Sequence, residues 1–276
     1  MTPADVPAAL QLTVQAGWNQ TPADWLRMIE MEPQGCLLAE VDGRLVGTTV
    51  CCTFDEIAWL ALVLVDMALR GRGIGRRLVQ AGLQYADDCG VRTVRLDATP
   101  LGRPVYERLG FQPQFELSRW GGIPTGAGRG PVLTVVDMNA TDEAGCESLC
   151  KLDRRATGTN RAKLLRRLFA ESPPVMVTGP GGLVTGFLTR RVGRLSTQIG
   201  PAMGSREVCA GLLQRELEAF RGQPVIADIP VDHAELNAVA QQAGLTVQRN
   251  LLRMYRGEPV VENPELFQIS SGGELG

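Results

Sequence analysis

The chain has 276 residues, with 28 Lys and Arg against 30 Asp and Glu, a formal net charge of −2, and 44% hydrophobic residues. That length suits two domains with cores of their own, and near-neutral charge with scattered arginines excludes a polyanion-binding surface, so nucleic acid is not an expected partner. No apolar run reaches the length of a membrane span or has the form of a secretory signal, so no membrane partner is expected and the cytoplasm is the expected compartment.

Apolar residues at Val6, Ala9, Leu10 and Val14 predict a short helix within Pro3–Ala16. After Gly17-Trp18-Asn19-Gln20, a Thr21 cap, Pro22 and Asp24 start a second helix that runs to about Met31. Cys36–Glu40 and Arg44–Thr53 read as strands joined at Asp42-Gly43, a strong hairpin signal, and Ile57–Val65 is a third strand. Leu64–Leu83 then passes from strand through Arg70-Gly71-Arg72-Gly73-Ile74-Gly75 into a helix marked by Ile74, Leu78, Val79 and Leu83. Glycines let a ligand approach the backbone, the first helical N–H groups lack carbonyl partners, and Arg70, Arg72, Arg76 and Arg77 add positive charge. The turn therefore reads as a diphosphate site. It lacks the Gly-Lys-Ser/Thr of a P-loop, and its glycine spacing misses the G-x-G-x-x-G of dinucleotide folds.

Gly90 closes that helix, Val91–Leu96 alternates as a strand, and Pro104–Leu109 forms a short helix ended by Gly110-Phe111. Ser118–Pro131 shifts to Gly, Pro and small polar residues and reads as a linker. Beyond it are predicted a strand (Val132–Met138), a helix from Thr141-Asp142-Glu143 to about Asp153, and a helix capped by Thr159-Asn160 and ending at Ala170. Strands follow at Pro174–Thr178, Leu183–Arg190 and Leu195–Ile199. Then come a helix (Ser205–Phe220), a strand (Pro224–Ile229), a helix (Ala234–Ala243) and a strand (Thr246–Tyr255), repeating the order of the first half. Seven cysteines, the single His233 and the absence of a C-x-x-C pair point to reduced thiols, with no metal expected.

Arg70, Gly73 and Gly75 spell R-x-x-G-x-G, which resembles the pyrophosphate-binding turn of the GNAT superfamily of acetyl-coenzyme A-dependent acyltransferases. The element order and the string Val105-Tyr106-Glu107-Arg108-Leu109-Gly110-Phe111 are similar to that family as well, although the Asn common at the start of its fourth helix is missing here. The resemblance implies an α/β (α+β) chain of tandem GNAT-like domains, each a mixed, mostly antiparallel sheet flanked by helices. A catalytic domain at 1–125, a linker at 126–131 and a degenerate copy at 132–276 follow. Gly200-Pro201-Ala202-Met203-Gly204 stands where the second coenzyme turn belongs, and Gly244-Leu245 echoes Gly110-Phe111 without the tyrosine. Arg154–Arg161, Ile199-Gly200-Pro201 and Arg253-Met254-Tyr255 resemble a bacterial group of two-domain GNAT proteins.

In this family the pantetheine arm runs like an extra strand between two splayed strands. The resemblance places backbone groups of Val63 and Val65 on that arm and Arg70, Gly71, Arg72, Gly73, Ile74, Gly75 and Arg76 on the diphosphate. Tyr106 becomes the general acid for the leaving thiolate. Trp18, Asn19 and Gln20 are read as lining the acceptor pocket, and Asp228, Asn237 and Arg253 as orienting an acceptor. Asp55, Glu56 and Asp97 are alternative proton acceptors beside water, and His233 is a helix-start residue. The expected function is acetyl transfer from acetyl-CoA to a primary amine of a small molecule; the alternative is an acyl-CoA-binding protein without transfer.

Overall fold

The computed structural model describes residues 1–126, 128, 133–137 and 142–276. α1 (Val6–Gln15) and α2 (Pro22–Met31) begin the chain, and α2 starts with the predicted capping box. Asp24 Oδ2 accepts the Thr21 N–H at 2.7 Å, while Thr21 Oγ1 accepts the Asp24 N–H at 3.4 Å. β1 (Cys36–Val41), β2 (Arg44–Phe54) and β3 (Ile57–Val65) form an antiparallel meander. Asp42 (φ 51°) and Gly43 (φ 72°) supply the positive φ values that a two-residue hairpin turn requires. Next come α3 (Ile74–Asp88), β4 (Thr93–Ala98), α4 (Arg103–Glu107) and β5 (Gln112–Gly122). β2 and β3 are buried along nearly their whole length, so both faces of the sheet are covered, with α1, α2 and α3 packed against them.

The rest of the chain contains β6 (Val135–Asp137), α5 (Glu143–Thr157), α6 (Ala162–Glu171), β7 (Val175–Thr178), β8 (Val184–Val192) and β9 (Thr197–Gly204). α7 (Arg206–Ala219), β10 (Val225–Pro230), α8 (Ala234–Gln242), β11 (Thr246–Gly257) and β12 (Phe267–Ile269) complete it.

The chain divides into two compact units. The first holds Met1–Gln114 with Arg253–Pro259 and Leu275, and the second holds Phe115–Leu252 with Val260–Glu274 and Gly276. The first has strand order β1-β2-β3-β4-β11, the second β11-β5-β10-β9-β8-β7-β6 with β12 beside β9. Each unit thus takes a strand from the other half of the sequence. Trp25, Val46, Leu60, Val79, Leu83 and Leu96 lie in the first core. Leu188, Ile199, Leu212, Leu217, Val225 and Leu236 anchor the second.

Three features depart from the sequence reading. Ser118–Gly122 is not linker but the end of β5, with Leu117, Ser118, Arg119 and Trp120 all buried. The division between units falls after Gln114, and of residues 126–131 only 126 and 128 are described. β9 continues through Gly200–Gly204, which is strand and not a decayed turn, and β12 was not foreseen. The Thr141 helix start and the outer ends of the Val132–Met138 strand lie outside the described residues; Asp142 caps α5, accepting the Gly145 N–H at 2.9 Å. All seven cysteines are free thiols, and burial pushes Cys36 up to about 12.

Candidate active site

β3 and β4 run parallel but pair only over Ile57↔Thr93, Ala58↔Val94 and Trp59↔Arg95. Beyond Trp59 the strands separate, and among the described residues no strand lies on that edge of β3. The edge faces a ligand space by backbone parity. Asp66 N–H bonds the Val46 carbonyl at 2.8 Å and Leu64 pairs with Thr48 on β2, so Val63 and Val65 turn their N–H and C=O groups the other way, into the gap. A bulge at Leu62 (φ 51°), whose carbonyl accepts the Thr48 hydroxyl at 2.8 Å, re-aims the strand just before those residues. Arg70 Nε donates to the Val65 carbonyl at 3.2 Å, bringing two of the predicted coenzyme contacts together.

The turn that follows is held from below by Asp66, a residue that sequence reading missed. Its carboxylate accepts the Ala68 N–H at 3.0 Å and an Arg44 guanidinium N–H at 2.9 Å. An Asp two residues ahead of the amide it caps is a turn signal that was available in the sequence. Gly71 (φ 78°) and Gly73 (φ 79°) take left-handed conformations, and a Cβ at either would meet nothing within 4 Å. The space beside them is open to a ligand. Gly73 caps α3, whose first intrahelical bond runs from Arg77 N–H to the Gly73 carbonyl at 3.1 Å. The N–H groups of Ile74, Gly75 and Arg76 precede that bond and point out of the helix start, with Arg70, Arg72, Arg76 and Arg77 exposed around them. This is an anion cradle at the carboxyl end of two parallel strands.

α4 follows the carboxyl end of β4. Tyr106 is half-buried there, its ring against Gly102 and edge-on to Phe111 at 5.7 Å between centroids. Its hydroxyl has no hydrogen-bond partner among the described residues, and burial raises the phenol above its ordinary value, so it stays protonated at neutral pH. The Trp18–Gln20 loop leaves α1 at the same end of the sheet, where Gln15 Oε1 accepts the Met67 N–H at 3.5 Å. Asn19 and Gln20 are buried, and Gln20 Oε1 has no partner among the described residues. Trp25 covers the core, donating to Thr13 Oγ1 at 3.1 Å.

Other predicted site residues are committed elsewhere. Asp97 accepts a bidentate bond from Arg253 (2.8 and 2.9 Å), and Arg253 lies over the Trp59 ring at 4.9 Å, so neither the base role of Asp97 nor the acceptor role of Arg253 survives. Asp228 is fully buried against Arg119 (2.7 and 2.6 Å). Asn237 accepts the Trp120 indole N–H at 2.6 Å and donates to the Pro230 and His233 carbonyls, which uses its hydrogen-bonding capacity internally. Asp55 and Glu56 sit in the β2–β3 turn, at the opposite end of β3 from Val65. At about 3.3 Å per residue, β3 (Ile57–Val65) puts them roughly 25 Å from Val63 and Val65.

Two family models match the chain: the Acetyltransferase (GNAT) family over residues 9–111 and an Acetyltransferase (GNAT) domain over 149–267. The chain belongs to the GNAT superfamily. It is 24% identical to the uncharacterized N-acetyltransferase YitH of Bacillus subtilis, across 96% of this chain and 94% of that one. Holothin acyltransferase of Pseudoalteromonas is 28% identical across 92% and 86%. A Pyrococcus horikoshii crystal structure assigned as an acetyltransferase superposes with a TM-score of 0.85 over 100% and 94% of the two chains at 20% identity, which shows a shared fold. The protein is an acyltransferase built from two GNAT units.

The rear GNAT unit lacks the front site's parts. β9 leads through Ser205 alone into α7, where the front unit has the whole turn 66–73. Gly244 (φ 87°) and Leu245 reproduce Gly110 (φ 86°) and Phe111, with the Leu245 N–H on the Ala240 carbonyl as the Phe111 N–H is on that of Tyr106, both at 3.1 Å. Ala240 therefore stands where the front unit has Tyr106.

Proposed function

We propose that the front unit transfers an acetyl group from acetyl-CoA to a primary amine of a small molecule. One observation carries the reading: the unpaired edge of β3 beyond Trp59 runs directly into the open, arginine-ringed start of α3. The pantetheine arm would bond Val63 and Val65, and the diphosphate would take the N–H groups of Ile74–Arg76 with Arg70, Gly71, Arg72 and Gly73 around it. The thioester supplies the activated acyl group; holding it beside the amine accounts for much of the rate. Tyr106, protonated and unbonded, donates a hydrogen bond to the departing thiolate.

The proton of the attacking amine goes to water. The three carboxylates considered as bases are tied up or distant, so the acceptor reacts from its free-amine fraction. Trp18, Asn19 and Gln20 line the acceptor side, with Gln20 Oε1 available to receive an amine N–H. The relative named for acyl transfer to holothin supports a small-molecule acceptor. Titration calorimetry with coenzyme A, followed by a thiol-release assay over a panel of small amines, tests the reading. Binding with no turnover on any amine would favour a carrier-binding protein instead.

A further inference from the structure

The rear unit has the same splay as the front one. β9 and β10 run parallel and pair only over Thr197↔Val225, Gln198↔Ile226 and Ile199↔Ala227, after which they part. Here the gap is filled by the chain itself. β12 lies antiparallel along the freed edge of β9, with Phe267 opposite Met203 and Ile269 opposite Ala202. The Gly204 N–H bonds the Leu266 carbonyl at 2.8 Å, and on the other wall the Ser270 N–H bonds the Asp228 carbonyl of β10 at 2.9 Å. The segment thus bridges both walls. Phe267, Gln268, Ile269, Ser270 and Ser271 are all buried.

Gly200 shows how closely it passes. A Cβ there would lie 2.2 Å from the Ser270 carbonyl oxygen and 3.0 Å from Ile269 Cγ2, so any side chain at 200 collides with backbone that cannot move without lifting the strand. The other requirement of a coenzyme site is also absent. Ser205 caps α7 with its own hydroxyl, which accepts the Val208 N–H at 3.4 Å, so that N–H at the helix start is already taken.

We propose that the rear splay is a strand-binding cleft whose ligand is an extended peptide, the chain's own Phe267–Ser270, and that this internal occupant closes the rear unit to acyl carriers. The equivalence with a pantetheine arm rests on the function proposed for the front unit; the occupancy does not. Main-chain bonds to both walls supply the hold, as in strand addition to a sheet edge, and side-chain burial fixes the register.

Amide hydrogen exchange on the intact chain, read by mass spectrometry with and without coenzyme A, tests this. Phe267–Ser270 and Thr197–Gly204 exchange slowly and change by less than about twofold on adding coenzyme A, while Leu60–Arg76 slows. Fast exchange of Phe267–Ser270 in the intact chain, or its acceleration by coenzyme A, overturns the proposal. If coenzyme A leaves Leu60–Arg76 unchanged while Phe267–Ser270 stays protected, the front-unit function fails and the rear occupancy stands. Gly200→Ala speeds exchange of Phe267–Ser270 at least tenfold without altering coenzyme A titration at the front; no change at Phe267–Ser270 in that variant also overturns it. Should the variant not fold, exchange in the unaltered chain decides.

Discussion

Gly75→Ala separates the fold's needs from the ligand's at the start of α3. Gly75 does not have a positive φ, and a Cβ there makes only an ordinary contact with Val65 Cγ2 at 3.5 Å. The fold therefore has no use for the glycine, and alanine reduces the conformational freedom lost on forming the helix, a gain of about 0.5–1 kcal/mol. In a chain of this size that raises Tm by about 1–4 °C. Helical Cα–Cβ bonds tilt toward the helix N-terminus, so the new methyl points at the space assigned to the diphosphate. Displacing one charge-assisted N–H bond costs about 1.5–3 kcal/mol, a weakening of coenzyme A binding of about ten- to a hundredfold. Thermal melts paired with titration calorimetry read both effects. Equal affinity with a raised Tm would refute the close approach of phosphate to this backbone, and a Tm lowered by several degrees would refute the packing argument. Gly73→Ala is a poorer probe, because its φ of 79° adds about 1–2 kcal/mol of strain for any side chain and mixes the two effects.

Tyr106→Phe lowers kcat about a hundredfold and leaves coenzyme A affinity unchanged, as steady-state and binding measurements together show. Because burial holds the Tyr106 proton above its ordinary value, the wild-type rate rises with pH as the acceptor amine deprotonates and shows no alkaline fall below about pH 10, the ordinary tyrosine pKa. Asp228→Asn removes the buried negative charge that accepts two Arg119 bonds and costs about 3–5 kcal/mol in denaturant unfolding; removing the exposed Glu56–Arg92 pair costs about 0–1 kcal/mol. His233, the only histidine, has its pKa lowered first by burial and further by Arg206. The unfolded chain then binds a proton near pH 6.5 that the folded chain does not, so stability is full above that pH and falls as pH drops through it; His233→Gln flattens this slope in pH-dependent melts.

What the sequence disclosed was local. The Thr21–Asp24 capping box, the Asp42-Gly43 hairpin and the Arg70–Arg76 turn each act within a few residues, so residue type and spacing announce them. The misreadings share the opposite cause. Asp97 looks like a candidate base because an acid ends a strand, yet its partner Arg253 lies 156 residues away, and Arg119 and Asp228 are separated by 109. These reciprocal pairs sit on β4 with β11 and on β5 with β10, the places where each unit receives a strand from the other half of the sequence. Arg119 therefore resembled linker polarity until its countercharge was known. Glycine misled in the same way. Gly73 takes its left-handed φ at the start of α3 with nothing beside it, whereas Gly200, inside β9, has the Ser270 carbonyl oxygen where a Cβ would go. One residue type thus serves a turn in one place and a close strand contact in the other, and only the distant segment that passes beside Gly200 discloses the second use.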